Sequence, residues 1–189
     1  MAERKISEKS LENLKRFNQE NNAITRESIE ISLLQLLEKK DLKKITISEL
    51  VQRAGVSRAA FYRNYDSKEE ILESIFQSSI AKITKSLDGY NLKTDLYQVW
   101  VYLFKEVKKE AKIISLAIDY NFEQVLTKAV YDFLEKRNGS SSNGAGSYLN
   151  SFWSSAIVSV ISKWVKDGMK TPAEKIAKLG LPLFPHKKK

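Results

Sequence analysis

A chain of 189 residues, 42% of them hydrophobic and 29% charged, can bury a substantial core and is too apolar to stay disordered. It has no cysteine, which excludes a disulfide framework and thiolate metal sites, and its formal net charge of +9 points to an anionic partner or to a solvated basic surface. There is no run of the ~18 apolar residues that a membrane span needs and no apolar signal core at the start, so a cytoplasmic protein without membrane contact is expected.

The first proline is Pro172, followed by Pro182 and Pro185, and no period-two alternation is sustained. Together these predict an all-α chain of about nine helices. Residues 1–22 form a polar N-terminal extension with a weakly amphipathic Leu11–Leu14–Phe17 segment. Helix 1 is predicted from about Thr25, a good N-cap, to Lys40, with Ile29, Leu33, Leu36 and Leu37 at helical spacing. Three segments have the form of a capping box and each marks a helix start: Thr46-Ile-Ser-Glu49, Ser67-Lys-Glu-Glu70 and Thr171-Pro-Ala-Glu174. The fourth helix is predicted from Ser67 to about Leu87, stopping near Asp88-Gly89. Others follow over roughly 94–107, 109–118, 120–136 and 148–167. Arg137 to Ser147, holding three of the seven glycines, is expected as a mobile surface loop. The last helix would have Pro172 at its first position and Gly180 at its end. Residues 181–189 form a basic tail around the only histidine, His186, which is too isolated for a metal site.

Between Lys39 and Lys68 stand eight basic residues (Lys39, Lys40, Lys43, Lys44, Arg53, Arg58, Arg63, Lys68) against three acidic ones (Asp41, Glu49, Asp66), a net of +5. Charge alone leaves both nucleic acid and a solvated surface open. The pattern within 46–65 is more specific: two short helices around a glycine turn, the form of a helix-turn-helix. Ile47, Leu50 and Val51 give the first helix a buried side, and Ala54 permits a close crossing. Gly55 can take the left-handed turn, and Val56 plugs the corner. Ser57 caps the second helix, whose N-terminus would offer N–H groups to phosphate. At about 100° per residue, Arg58, Ala59, Tyr62 and Arg63 share one outward arc while Phe61 points into the core. Arginine can hydrogen-bond guanine O6 and N7, and an alanine methyl can meet thymine.

The run from Ile45 to Leu72, with its Ala-Gly-Val-Ser, Phe-Tyr and Lys-Glu core, closely resembles the N-terminal module of the tetracycline-repressor (TetR) family. The resemblance covers roughly 23–83 and implies a DNA-binding domain there, with a helical dimerisation and ligand-binding domain over 84–180. By position in that module Thr46, Ser57 and Tyr62 match phosphate-contacting sites. Arg58, Ala59, Ala60 and Arg63 match the base-reading face, Asn64 lies at its margin, and Lys68 matches a backbone-clamping lysine. The family implies a homodimer on a near-palindromic operator in double-stranded DNA. It usually represses and is relieved by a small effector, but it also includes activators.

From Tyr148 to Val165 the apolar residues cover more than one helical stripe, so this helix needs two burial partners, either within one subunit or across two. The closing pattern resembles the last two helices of TetR-type regulators, which implies a dimer interface at Phe152, Trp153, Ala156, Ile157, Val160 and Trp164. The middle helices are rich in aromatics. Tyr97, Trp100, Phe104 and Phe122 are candidates for a small apolar effector's pocket, although such a stripe also suits a plain core. No cofactor or metal is expected. An enzyme is not expected either, since no phosphate-cradling glycine loop or paired catalytic carboxylates are present. The alternative to a regulator is a helical protein-binding adaptor that keeps the helix-turn-helix as a scaffold.

Overall fold

With no proline before residue 172 to interrupt main-chain bonding, helices run long wherever an apolar face can be buried. The structure, a computed structural model, describes residues 8–92, 94–138 and 145–181. Among these are nine α-helices, two 3₁₀ turns and no strand. The chain divides into two compact units, Met1–Leu72 and Glu73–Lys189, with the division falling inside the fourth helix, ahead of the boundary expected after residue 83.

In the first unit, α1 spans Glu8–Leu37. The polar extension expected over 1–22 is therefore helical from Glu8 onward, and Thr25 does not cap: its Oγ1 donates to the Asn21 carbonyl at 2.8 Å, the usual refuge of a mid-helix threonine. Leu11, Leu14, Phe17 and Ile24 remain exposed along this part, and only from Ile29 does α1 bury a face. Ile29 and Leu33 then meet a core completed by Ile45, Leu50, Phe61, Ile71 and Leu72.

A 3₁₀ turn at Leu42–Lys44 leads into α2 (Ile47–Ala54), α3 (Arg58–Tyr62) and α4 (Lys68–Thr84). Each of these helices starts as its local sequence dictates. Thr46 Oγ1 accepts from Glu49 N–H at 3.2 Å, Ser57 Oγ from Ala60 N–H at 3.0 Å, and Ser67 Oγ from Glu70 N–H at 3.1 Å. The Glu70 carboxylate accepts from Asp66 N–H at 2.6 Å, one residue upstream of the partner a capping box prescribes. Gly55 takes φ +67°, the left-handed conformation that lets α2 stop and the chain turn to α3.

In the second unit, α4 ends at Thr84 in a 3₁₀ turn, Lys85–Gly89, followed by α5 (Leu96–Lys109), α6 (Ala111–Asp119), α7 (Glu123–Asn138), α8 (Ala145–Lys166) and α9 (Ala173–Ala177). α7 packs along α8, α5 along α9 and α6 on α8. Trp100 stacks on Phe104 at 5.4 Å between ring centroids, and Phe104 meets Trp164 edge-on at 4.8 Å. Both indoles are satisfied at 2.7 Å: Trp100 Nε1 donates to the Leu181 carbonyl and Trp164 Nε1 to the Thr171 carbonyl. Arg137, on the last turn of α7, donates to the carbonyls of Leu87 (2.7 Å) and Tyr90, fixing the turn after α4.

The last helix departs from expectation. It begins at Ala173, Pro172 is the cap residue, and no side chain caps it; the Thr171 carbonyl serves Trp164 instead. Gly180, at φ +65°, takes the left-handed conformation expected of a helix stop. Of the loop expected over 137–147, residues 139–144 lie outside the described residues and the flanking ones are helical. The basic tail from 182, with His186, also lies outside them. None of the described helices is long and apolar enough to cross a membrane.

A Cβ added at Gly55 would meet no atom within 4 Å, so a substitution there is opposed by backbone conformation alone. Gly55→Ala should cost about 1–2 kcal/mol in urea unfolding, and Gly55→Asn distinctly less, because asparagine tolerates the left-handed region. Equal costs would mean that packing rather than φ governs the turn.

Candidate nucleic-acid interface

α3 is short and two-sided. Phe61 is fully buried, its ring 5.1 Å from that of Tyr62 and 6.5 Å from that of Tyr65. Opposite it, Ser57, Arg58, Ala59, Tyr62 and Arg63 are exposed, with Ala60 and Asn64 half-buried at the margins. The structure thus brings the expected residues onto one outward face, with Thr46 exposed at the start of α2.

That face is held from behind. Asn64 Nδ2 donates back to the Ala60 carbonyl at 2.8 Å, and the Asn64 carbonyl accepts from Arg26 of α1 at 3.5 Å. The Arg26 guanidinium lies 4.5 Å over the Tyr65 ring, whose hydroxyl donates to Glu30 at 2.6 Å. Arg58 donates to the hydroxyl of Ser48, a residue that sequence reasoning missed. Ser48 lies ten positions away on the preceding helix, and neither helical periodicity nor capping chemistry couples such a pair.

The basic residues divide into two groups. Lys40 pairs with Glu49, and Arg53 Nε donates to Gln35 at 2.9 Å. Lys68 turns its ammonium to the carbonyls of Leu42 (2.7 Å) and Ile45 (2.6 Å) rather than outward. Lys39, Lys43, Lys44 and Arg63 are exposed.

The second unit corrects two expectations. Trp153, Ile157 and Trp164, expected between subunits, are buried inside their own unit, Trp164 to 5% exposure against Phe104. Ala156 and Val160 are half-buried. Only Phe152 of the expected set is well exposed, at 61%, and it adjoins Tyr148 at 79% and the exposed Leu149. The wide apolar arc of α8 is thus mostly consumed by its own subunit, leaving a patch near its start.

The expected effector residues also sit elsewhere. A cavity of about 50 Å³ lies among α4, α5, α6, α7 and α8, lined chiefly by aliphatic side chains such as Ile80, Leu103, Leu126, Val130 and Ile161, with Phe133 and Thr84 also in its walls. Tyr97, Trp100, Phe104 and Phe122 are not among its walls. Tyr97 is 40% exposed, Trp100 and Phe104 fill the aromatic stack, and Phe122 packs against Phe76 at 5.4 Å. Neighbouring positions Val99, Leu103 and Val107 of α5 face the cavity instead.

Residues 33–75 match the model of bacterial regulatory proteins of the tetR family, and residues 94–181 that of a transcriptional regulator C-terminal region. The HTH-type dhaKLM operon transcriptional activator DhaS of Lactococcus lactis subsp. lactis (strain IL1403) is 27% identical over 125 residues, 61% of this chain and 66% of that protein. The HTH-type transcriptional regulator YxbF of Bacillus subtilis (strain 168) is 41% identical over 64 residues, 33% of this chain and 17% of its own length. The chain spans less than two thirds of each of these curated relatives. Among solved structures, a TetR transcriptional regulator from Streptococcus agalactiae 2603V superposes with a TM-score of 0.57 at 20% identity, covering 87% of this chain and 96% of that one. The dihydroxyacetone kinase operon activator DhaS superposes at 0.54, also at 20% identity, covering 83% and 92%. At these identities the likeness is one of fold.

Ser57 holds the first turn of α3 through a single bond to Ala60 N–H. Ser57→Ala should therefore cost about 1 kcal/mol in urea unfolding, and Ser57→Asp, which retains a capping oxygen, should cost much less. Equal stability of Ser57→Ala and wild type would show that the cap carries no weight.

Proposed function

Because the chain belongs to the tetR family of bacterial regulatory proteins, whose members regulate transcription rather than catalyse reactions, we propose that it is a sequence-specific DNA-binding transcriptional regulator. α3 lies in the major groove of double-stranded DNA. The observation that carries this reading is the two-sidedness of α3: Phe61 is locked inward while Arg58, Ala59, Tyr62 and Arg63 stand exposed together. Arg58 and Arg63 supply bidentate donors for guanine, and Ala59 and Ala60 supply methyl contacts for thymine. Thr46, Ser57 and Tyr62 hold phosphates, with Asn64 at the edge of the interface.

The protein works as a homodimer on a near-palindromic operator, with Tyr148, Leu149 and Phe152 meeting a second subunit. Large exposed aromatics gathered on one helix support a protein contact there. A small apolar effector is accommodated at the aliphatic cavity, whose walls offer it no charged group. The protein acts as a repressor; the name of its Lactococcus relative, an operon activator, makes activation the outcome to be separated from it in a promoter-reporter assay.

Selection of bound fragments from a random duplex library should return a near-palindrome. Against it, Arg58→Ala should lose about 1–3 kcal/mol of binding and relax base preference at one position per half-site. Ser57→Asp, stable but with a carboxylate facing phosphate, should bind neither selected nor random duplex. Failure of the wild type to enrich any sequence would sink the assignment.

Sedimentation should give a dimer at micromolar concentration, and Tyr148→Asp with Phe152→Asp should give a folded monomer. A wild-type monomer would refute the proposed interface.

A further inference from the structure

Lys68 opens α4, where the expected role is a cation reaching out to the DNA backbone. Its side chain is half-buried, and its Nζ donates to the Leu42 carbonyl at 2.7 Å and the Ile45 carbonyl at 2.6 Å. Both bonds are short, as a charged donor favours, and they occupy two of the three donors that an ammonium possesses. The acceptors flank the 3₁₀ turn Leu42–Lys44: Leu42 is its first residue and Ile45 the residue that ends it. That turn is itself tied by Lys44 N–H to the Asp41 carbonyl and by Ile45 N–H to the Leu42 carbonyl.

We propose that Lys68 is a positioning residue that sets the entry of α2, and through it Arg58, rather than a clamp on the DNA backbone. The connection is short. Ile45 precedes Thr46, the cap of α2, and Ser48, two residues further on, accepts the bond from Arg58. The chain leaves α2 by Gly55, forms α3, and enters α4 at Lys68, whose first turn is fixed by Ser67 and Glu70. Lys68 then reaches back over 23 and 26 residues to the segment before α2, closing the helix-turn-helix into a ring. A cation on a flexible stem satisfies two main-chain oxygens at once, which an uncharged side chain of the same length cannot do. Without it the start of α2 keeps its own cap, the Lys40–Glu49 pair and core contacts, but loses the tie to α4, and the Ser48 hydroxyl can shift.

This inference rests on the DNA-binding reading, and the test keeps the two apart. Full-length wild type, Lys68→Met and Lys68→Arg are titrated against a selected duplex and a random-sequence duplex at several salt concentrations, well below each protein's melting temperature. Lys68→Met should weaken selected-duplex binding by about three- to thirtyfold. Its salt dependence should match wild type on both duplexes, because no phosphate contact is lost. Amide exchange at Lys44 and Ile45 should speed up in the absence of DNA. A fall in the salt slope of about one per subunit, restored by Lys68→Arg, would make Lys68 a phosphate clamp and overturn the proposal. Unchanged affinity with only a lower melting temperature would reduce it to a fold-stabilising residue, and would overturn it too. If wild type binds neither duplex, the DNA-binding reading fails; faster exchange at Lys44 and Ile45 in Lys68→Met still tests the staple.

Discussion

A helix of five residues has no stability of its own. Isolated helices shorter than ~12–15 residues are marginal in water, since nucleation costs more than so few hydrogen bonds return. α3, Arg58–Tyr62, therefore exists only because Phe61 is drawn into the core of the first unit and the ends of the helix are tied. Ser57 secures the start, and Asn64 bonds back to Ala60 at the end. Tyr65, bonded to Glu30 and covered by Arg26, fixes the exit to α1. The arrangement makes the outward residues of α3 a surface displayed by a rigid support, which is what recognition of base edges demands. It also explains why α1 must be a well-packed helix from Ile29 onward: the outward face of α3 inherits its position from that packing.

The same economy governs the charges. Exposed ion pairs contribute roughly 0–1 kcal/mol each, so pairing Lys40 with Glu49 does little for stability but withdraws a cation from the outer field. Lys39, Lys43 and Lys44 stay exposed and contribute a positive potential, which salt screens over about 10 Å at 0.1 M. The Arg58 guanidinium, by contrast, is held by the Ser48 hydroxyl, and in the proposed function it reads base edges at short range together with Arg63. In the proposed function, steering then falls to these lysines and reading to the two arginines, so a mutation that alters one need not alter the other.

What was legible in the sequence was local. The caps at Thr46, Ser57 and Ser67, the left-handed Gly55 and the inward Phe61 follow from neighbours within four positions, and the structure has each as expected. The helical character of 8–24 was not legible, because Leu11, Leu14 and Phe17 bury nothing and the polar residues around them carry no burial signal. Pro172 fell one position from where helix-start preference put it, since Trp164 claims the Thr171 carbonyl from across the corner. The Lys68 and Arg58 bonds join separate helices, and no one-dimensional pattern encodes them. In the second unit, composition marked aromatics as cavity walls, whereas a stack of Trp100, Phe104 and Trp164 is better satisfied as solid core.

That aromatic core constrains any effector. A cavity of about 50 Å³ is far smaller than small-molecule sites, which typically run to about 300–1,000 Å³. A ligand must therefore separate the aliphatic side chains of α4 to α8, and its binding energy has to exceed the packing it breaks. Among the described wall residues Thr84 alone is polar, and it donates its hydroxyl to the Ile80 carbonyl at 2.8 Å, so a ligand's acceptor groups would be desolvated without a donor. An apolar ligand meets no such penalty and recovers dispersion contacts as it displaces others. Binding and expansion of the bundle are then one event, and the ligand's differential affinity for the expanded state sets how far it can move the equilibrium.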